Sequence, residues 1–367
     1  MLDYLLIALI FFNLYIVASC IDRFRFQQEV VILKCIFWAI IIFVSYLVAL
    51  RGGYPDVDNY RMYFETASDL FNVFTLKYRD IEIGYYYYSS FVNAIGFSFE
   101  TASFLFCFLS IFIAFYGYKE GSPYCYSATT LFIIFSYAIS LMIQVRQGAA
   151  IGLSVCVMCH FLNKRYISSL FFYFLAINFH ISALVIFPVT MLSYYVAPLI
   201  YRYRFFALIL TVVIGGIFNH FKVGSYFIQM VMPLFDARLS EKAYLYMEFM
   251  PQSISFFSLT NILMIIILTS LCFLFKYKRY QFDKELFAIL IVCFFLYNSL
   301  AFSSDVASRV FKVLSITIPI GISVMLSLIF DVFQKKSGIV LCSIVLLCLI
   351  LFYQLNFIQY ELTIFNF

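Results

Sequence analysis

The chain has 367 residues, 65% of them hydrophobic and 12% charged, with a mean hydropathy of +0.98. These values exclude a water-soluble globular domain, in which apolar residues make up about half of the chain and charged ones about a quarter. Its net charge of +5 says little about a partner until its distribution across a bilayer is known, and at about 20 apolar residues per crossing the length allows roughly a dozen crossings, with little chain left for a separate soluble domain.

Apolar runs bounded by charge clusters predict the first helices at 4–20 and 31–50. The first carries Asp3 instead of a basic leader and ends at Asp22 without a small-residue cleavage site, so a retained helix is expected. Arg51 closes the second. The segment Gly52-Gly53-Tyr54-Pro55-Asp56-Val57-Asp58-Asn59-Tyr60 follows as a turn-forming stretch, which puts an arginine and two carboxylates at the interface. It opens a connection over residues 51–97, too long for a turn, and such connections tend to carry function. The last part, Glu82 to Phe97, is apolar, but a crossing there would reverse every later loop, so an interfacial or re-entrant helix is expected.

Helices are expected next at 98–117, 126–143 and 148–162, with Arg146 and Gln147 interrupting the apolar pattern at the outer end of the last of these. Inside it, Cys156-Val157-Met158-Cys159-His160 has the C-x-x-C-H spacing of covalent haem attachment. The run lies in an apolar helix beside Lys164 and Arg165, so packing by small residues explains it better. All cysteines except Cys125 lie in or at the ends of apolar runs, and no disulfide framework is expected. Three histidines without ligand spacing argue against structural zinc.

Further helices are predicted at 167–181, 183–200 and 205–219, and His180, beside Ser182, falls where the first of them reaches the outer surface. A second long connection, 220–256, has a charge order that permits a short surface helix. The last helices are predicted at 257–275, 286–302, 310–330 and 338–358, with Asp305 and Arg309 in the short outer connection before the eleventh. The result is an all-α polytopic membrane protein of about 12 transmembrane helices plus interfacial helices, in one membrane domain spanning residues 1–367.

With the N-terminus outside, the cytoplasmic loops hold 14 basic residues against 6 acids and the outer loops 10 against 13, which satisfies the positive-inside rule. Charged and polar groups beside apolar runs are costly and need a compensating role. Four places qualify: Arg51 to Tyr60, Arg146-Gln147, His180, and Asp305 with Arg309. Each alone fits an arginine snorkelling to lipid phosphate or a satisfied polar group between helices. Together on one face, they suit a site that holds an anionic lipid headgroup and moves a proton nearby.

At these residues the chain resembles the EpsG family, a branch of the Wzy-like polymerases that assemble bacterial O-antigens, capsules and exopolysaccharides. The resemblance rests on ordered elements: Arg51, Gly53, Asp56 and Tyr60; Glu82 to Tyr85; Arg146 and Gln147; Lys164-Arg165; Phe179 to Ala183; and Arg309. Residues 220–256 match none of them. The resemblance implies a GT-C-like architecture in the cell inner membrane. It also implies transfer of a glycan from its undecaprenyl pyrophosphate carrier to a hydroxyl of an incoming lipid-linked repeat unit at the outer face. Arg146 and Arg309, joined by Arg51, would hold the pyrophosphate, with Asp58, Tyr60, Glu82 and Gln147 as further substrate contacts. His180 is the expected base, because its unperturbed pKa lies nearest neutrality, and Asp56 is its rival. No cofactor is called for, although Asp56 and Asp58 holding a divalent metal is an open alternative. The implied partners are the lipid-linked oligosaccharide, the bilayer and a chain-length regulator protein, with no nucleic acid.

Two other functions share many of these features. A flippase for lipid-linked oligosaccharide would spread charge through the membrane depth, whereas here it collects on the outer side. A non-catalytic partner in envelope assembly would show small-x-x-x-small faces and no convergent polar site.

Overall fold

A computed structural model describes residues 2–24, 30–50, 55–67, 82–136, 140–141, 144–231, 254–274 and 282–332. The described residues form helices joined by turns, with no strand among them. The expected helix at 338–358 lies outside them.

The chain divides into two compact units, Met1–Ala183 with Leu326–Phe367, and Leu184–Met325. The first contains α1 (Leu2–Phe24), α2 (Val30–Ala49), α3 (Pro55–Thr66), α4 (Ile83–Ala94), α5 (Phe99–Gly121), α6 (Cys125–Ser136), α7 (Val145–Leu162) and α8 (Tyr166–Phe179). The second contains α9 (Ile186–Arg202), α10 (Arg204–His220), α11 (Val223–Val231), α12 (Leu259–Leu274), α13 (Asp283–Ser299) and α14 (Ser304–Leu314), and α15 (Ile318–Val332) runs from it back into the first. Five stretches are long and apolar enough to cross a bilayer: Val30–Ala49, Phe99–Gly121, Val145–Leu162, Ile181–Arg202 and Val306–Ser327. Shorter apolar helices accompany them, and the chain is a helical membrane-embedded protein.

Two sequence expectations change. The turn expected over Arg51 to Tyr60 gives way to α3 from Pro55 onward. Proline suits a first helical position because its missing N–H would be unpaired there anyway, and Asp56 and Asp58 complement the positive helix end. Arg309, expected in a connection, lies in the amphipathic helix α14. Arg146 and Gln147, expected at the outer end of a helix, lie in the first turn of α7. The expected non-crossing helix after Glu82 is α4, whose 12 residues are too few to cross alone, being about 18 Å long against roughly 30 Å of hydrocarbon. It stops at Gly96, whose φ of +90° lets Gly96 N–H donate to Asn93 O at 2.8 Å and Phe97 N–H to Val92 O at 3.3 Å.

Within the first unit, α7 is the central post: 94% of it is buried. It packs on α5 through small residues, since lipid supplies no hydrophobic drive between helices and close backbone contact must replace it. A Cβ on Gly117 of α5 would lie 2.9 Å from Cys156 N, and one on Gly152 of α7 would lie 2.6 Å from Ser110 O. Cys156 and Cys159 belong to this seam: both are fully buried, and the Cys156 thiol donates to Ile113 O at 3.3 Å. All described cysteines are free. Just past the C-terminal end of α5, Asp22 of α1 caps α6, accepting from Tyr126 N–H at 3.2 Å and Ser127 N–H at 2.8 Å. In the second unit, α13 is packed by α9, α10 and α14. Its buried Asn298 exchanges amide hydrogen bonds of 2.8 and 3.0 Å with Asn261 of α12.

Gly152→Ala is expected to lower the thermal unfolding temperature of the purified protein, since the added methyl meets backbone and overpacking costs about 1–3 kcal/mol. Gly216→Ala in α10 is the comparison. Its Cβ would meet nothing nearer than a Phe256 ring carbon at 3.5 Å, so the gain in helix propensity, roughly 0.5–1 kcal/mol, should leave that variant at least as stable as wild type.

Candidate functional site

The site is built around the entrance to α7. Val145 and Ala149, flanking Arg146, lie in one buried cluster with residues of α3, α4 and α5. On α3 the buried set is Val57, Tyr60 and Phe64, with Ala67 just beyond its end, while Asp58, Arg61 and Glu65 are exposed. That spacing is one apolar stripe of a helix. The stripe meets an aromatic wall: Tyr60 lies edge-on to Tyr85 with ring centroids 5.2 Å apart, Tyr85 to Phe106 at 5.4 Å, and Phe106 to Phe179 at 5.7 Å. Two polar ties hold the short helices in place, Asn93 Nδ2 donating to Phe64 O at 3.0 Å and Tyr88 OH to Ala102 O at 2.6 Å. Outside, Arg61 pairs with Glu100 at 3.1 Å; both are exposed, so the pair orients α3 on α5 more than it stabilises it.

Within this wall sits Arg146. Its Nη1 donates to Glu82 Oε2 in an ion pair, its Nε donates to the Tyr60 hydroxyl at 3.3 Å, and its guanidinium lies 5.2 Å from the centre of the Tyr60 ring. The charge needs these partners. A cation in a helix's first turn faces the positive end of the macrodipole and backbone N–H groups without intrahelical acceptors, so the position attracts anions. Glu82, just before α4, supplies one. Burial pushes the Tyr60 phenol above its ordinary pKa, although the guanidinium beside it pulls the other way. Tyr60 therefore remains a neutral hydroxyl. Nη2 is the end of the fork committed to neither Glu82 nor Tyr60.

The other expected residues fall as follows. Asp56 is half-buried one turn before Tyr60 on α3, near enough for its charge to act on the Tyr60 phenol. Asp58 is exposed. Two residues on, it projects from a different side of α3. Gln147 is fully buried beside Arg146. Glu82 and Tyr60, expected as substrate contacts, are both turned onto Arg146. Arg51 lies outside the described residues, and Arg309 belongs to the second unit.

His180 ends α8 in extended conformation and is followed by a 3-10 helix, Ile181–Val185. The end of α8 packs on the first turn of α4: a Cβ on Gly84 would lie 2.9 Å from Asn178 O. His180 thus borders the helix that begins next to Glu82. Its Nδ1 is 2.8 Å from Ser182 Oγ. Sequence reasoning passed over Ser182 as a working residue and overlooked α3, although the 57, 60, 64, 67 spacing of α3 is legible.

Of the second long connection, residues 232–253 lie outside the described residues, and a nine-residue helix, α11, opens it. Among the described residues no group of three or more His, Cys, Asp or Glu side chains is placed to hold a metal ion. No curated protein and no solved structure matches this chain. The model of the EpsG family matches residues 34–367, which takes in every residue of the site, and the chain belongs to the EpsG family.

Proposed function

We propose that this protein is a bacterial surface polysaccharide polymerase, acting at the outer face of the cytoplasmic membrane, that transfers an undecaprenyl-pyrophosphate-linked glycan onto a lipid-linked repeat unit. Membership of a Wzy-like polymerase family supports the reading. The observation that carries it is the Arg146 clasp, an oriented guanidinium in the first turn of a membrane helix.

The leaving group of the reaction is a lipid pyrophosphate. A guanidinium pre-oriented by Tyr60 and Glu82 stabilises the charge developing there without reorganising and without changing protonation state. In this reading Glu82 and Tyr60 are positioning residues, and Gln147 shapes the floor beneath Arg146. The base that takes the proton of the attacking hydroxyl is His180 or Asp56. A flippase reading fits less well, because the described part of α7 beyond Gln147 has no acidic or basic residue before His160, near its far end.

The deciding experiment supplies purified protein in lipid nanodiscs with a defined lipid-linked repeat unit. A ladder of polymer is expected; unpolymerised repeat unit, or movement of the unit across a vesicle membrane without elongation, overturns the reading.

Arg146→Lys should lose about 10²–10³-fold in rate, since an ammonium cannot reproduce a planar fork on a diphosphate. Tyr60→Phe removes the oxygen that orients Nε and should cost less. If the two act as one clasp, Tyr60→Phe combined with Arg146→Lys will be no slower than Arg146→Lys alone in initial-rate measurements, whereas additive losses would mean that they act separately.

Asp56→Asn should slow transfer by roughly 10²–10⁴-fold while leaving binding of the lipid-linked unit intact, the pattern of a lost general base. A wild-type rate in that variant, with protein of wild-type stability, removes Asp56 from the chemistry.

A further inference from the structure

The turn between α9 and α10 carries positive charge that the described chain does not neutralise. Tyr203 alone joins the two helices, with Arg202 in the last turn of α9 and Arg204 first in α10. Arg204 is held from three sides: its Nε donates to Cys272 O, in the last turn of α12, at 2.8 Å, and its guanidinium lies 5.6 Å from the centre of the Tyr201 ring and 5.4 Å from that of Phe205. The exposed Arg202 lies 5.4 Å from the centre of the Tyr203 ring. Among the described residues neither arginine meets a carboxylate, in contrast to Arg61, Arg146 and Arg165, each of which does. The first turn of α10 holds no acidic residue. Nη1 and Nη2 of Arg204, and the whole guanidinium of Arg202, therefore remain as donors for an anion from outside the chain.

The same turn opens onto an apolar face. Leu208, Thr211 and Gly215 are the buried side of α10, whereas Phe206, Ile209, Leu210, Val213 and Ile217 are exposed on the opposite side at helical spacing. From Phe206 to Ile217 this stripe rises about 16 Å, the depth of one leaflet of a hydrocarbon core roughly 30 Å thick. A ligand that meets both features has a phosphate and a hydrocarbon chain of about that length. We propose that the α9–α10 turn binds an anionic phospholipid of the bilayer, with Arg202 and Arg204 holding the phosphate and an acyl chain lying along the α10 stripe. The positive-inside pattern assigns this end of the span Ile181–Arg202 to the cytoplasmic leaflet, whose surface is negatively charged. A zwitterionic headgroup would bring a cation beside two arginines. Because Arg204 is already fixed by a carbonyl and two rings, it gives up little rotamer freedom on binding, and the turn selects a headgroup instead of attracting charge diffusely. The site is independent of what the protein catalyses.

Native mass spectrometry of the full-length protein in detergent, titrated with phosphatidylglycerol or phosphatidylcholine, tests the proposal. Wild type is expected to retain one phosphatidylglycerol in preference to phosphatidylcholine; equal retention of the two overturns it. Arg202 makes no hydrogen bond among the described residues, so Arg202→Gln should unfold at the wild-type temperature, while its affinity for phosphatidylglycerol should fall about five- to tenfold. Arg204→Lys keeps the charge but cannot keep both the bond to Cys272 O and a planar fork, and a similar loss is expected. Wild-type affinity in either variant overturns the proposal, and if Arg204→Lys is destabilised in lipid-free detergent, Arg202→Gln decides alone. Lys164→Gln removes one exposed charge from the turn between α7 and α8 and should bind as wild type. A loss there equal to that of Arg202→Gln would reduce the effect to general attraction of anionic lipid and overturn the site. Displacement of phosphatidylglycerol by a polyprenyl diphosphate at equal concentration would assign the turn to a lipid carrier, and the proposal would fall.

Discussion

Where Arg146 sits governs how the outer part of the first unit is built. An arginine in the second position of an apolar membrane helix meets two costs at once: it is partly withdrawn from water, and it adds positive charge to a helix end that is already positive. Neither cost can be met from within α7, which holds no acidic residue. The compensation arrives from elsewhere in the sequence, a carboxylate before α4 and a phenol on α3. Those two helices are too short to cross a bilayer, and their lodging against α5 and α7 places both partners on the guanidinium.

The same arrangement explains why the neighbourhood is aromatic. Tyr60, Tyr85, Tyr88, Phe106 and Phe179 meet edge to face, a geometry that packs rigid area with few rotatable bonds. Rigidity matters for a site that works by pre-orientation, because a guanidinium free to swing would lose in reorganisation what it gains in attraction. Beneath it, the α5–α7 seam brings backbones into contact through glycine, so the post carrying Arg146 cannot shift along its neighbour without a backbone clash.

Much of the fold was legible because lipid imposes one strong rule, long apolar runs with charge at their ends. That rule located the helices that became α2, α5 and α7 within a few residues. It failed at α3, where polar and charged residues hide an apolar stripe of Val57, Tyr60, Phe64 and Ala67 behind a Gly-Gly-Tyr-Pro lead that reads as a turn. It misplaced Arg309 for a similar reason, since α14 is amphipathic and its mean pattern is barely apolar. Residues of the site could be named from their cost, as Arg146 and His180 were. Which of them face one another could not, because the Arg146–Glu82 pairing joins positions 64 residues apart and no local pattern encodes it. Ser182 is given no role by the sequence because a serine after a histidine gains meaning only when the backbone turns it back onto the ring.

The carboxylate of Asp22 on the N-terminus of α6 bears on how the protein is made. The two amides it satisfies lie 104 and 105 residues further along the chain. When α6 leaves the ribosome, those amides have no partner within their own segment. α1, already handed to the lipid, must still be close to the insertion site for its carboxylate to reach them. Early helices that drifted away after insertion would leave α6 entering the bilayer with bare donors. The match to the family begins at residue 34, after this helix, yet it is α1 that supplies the cap of a helix formed about a hundred residues later.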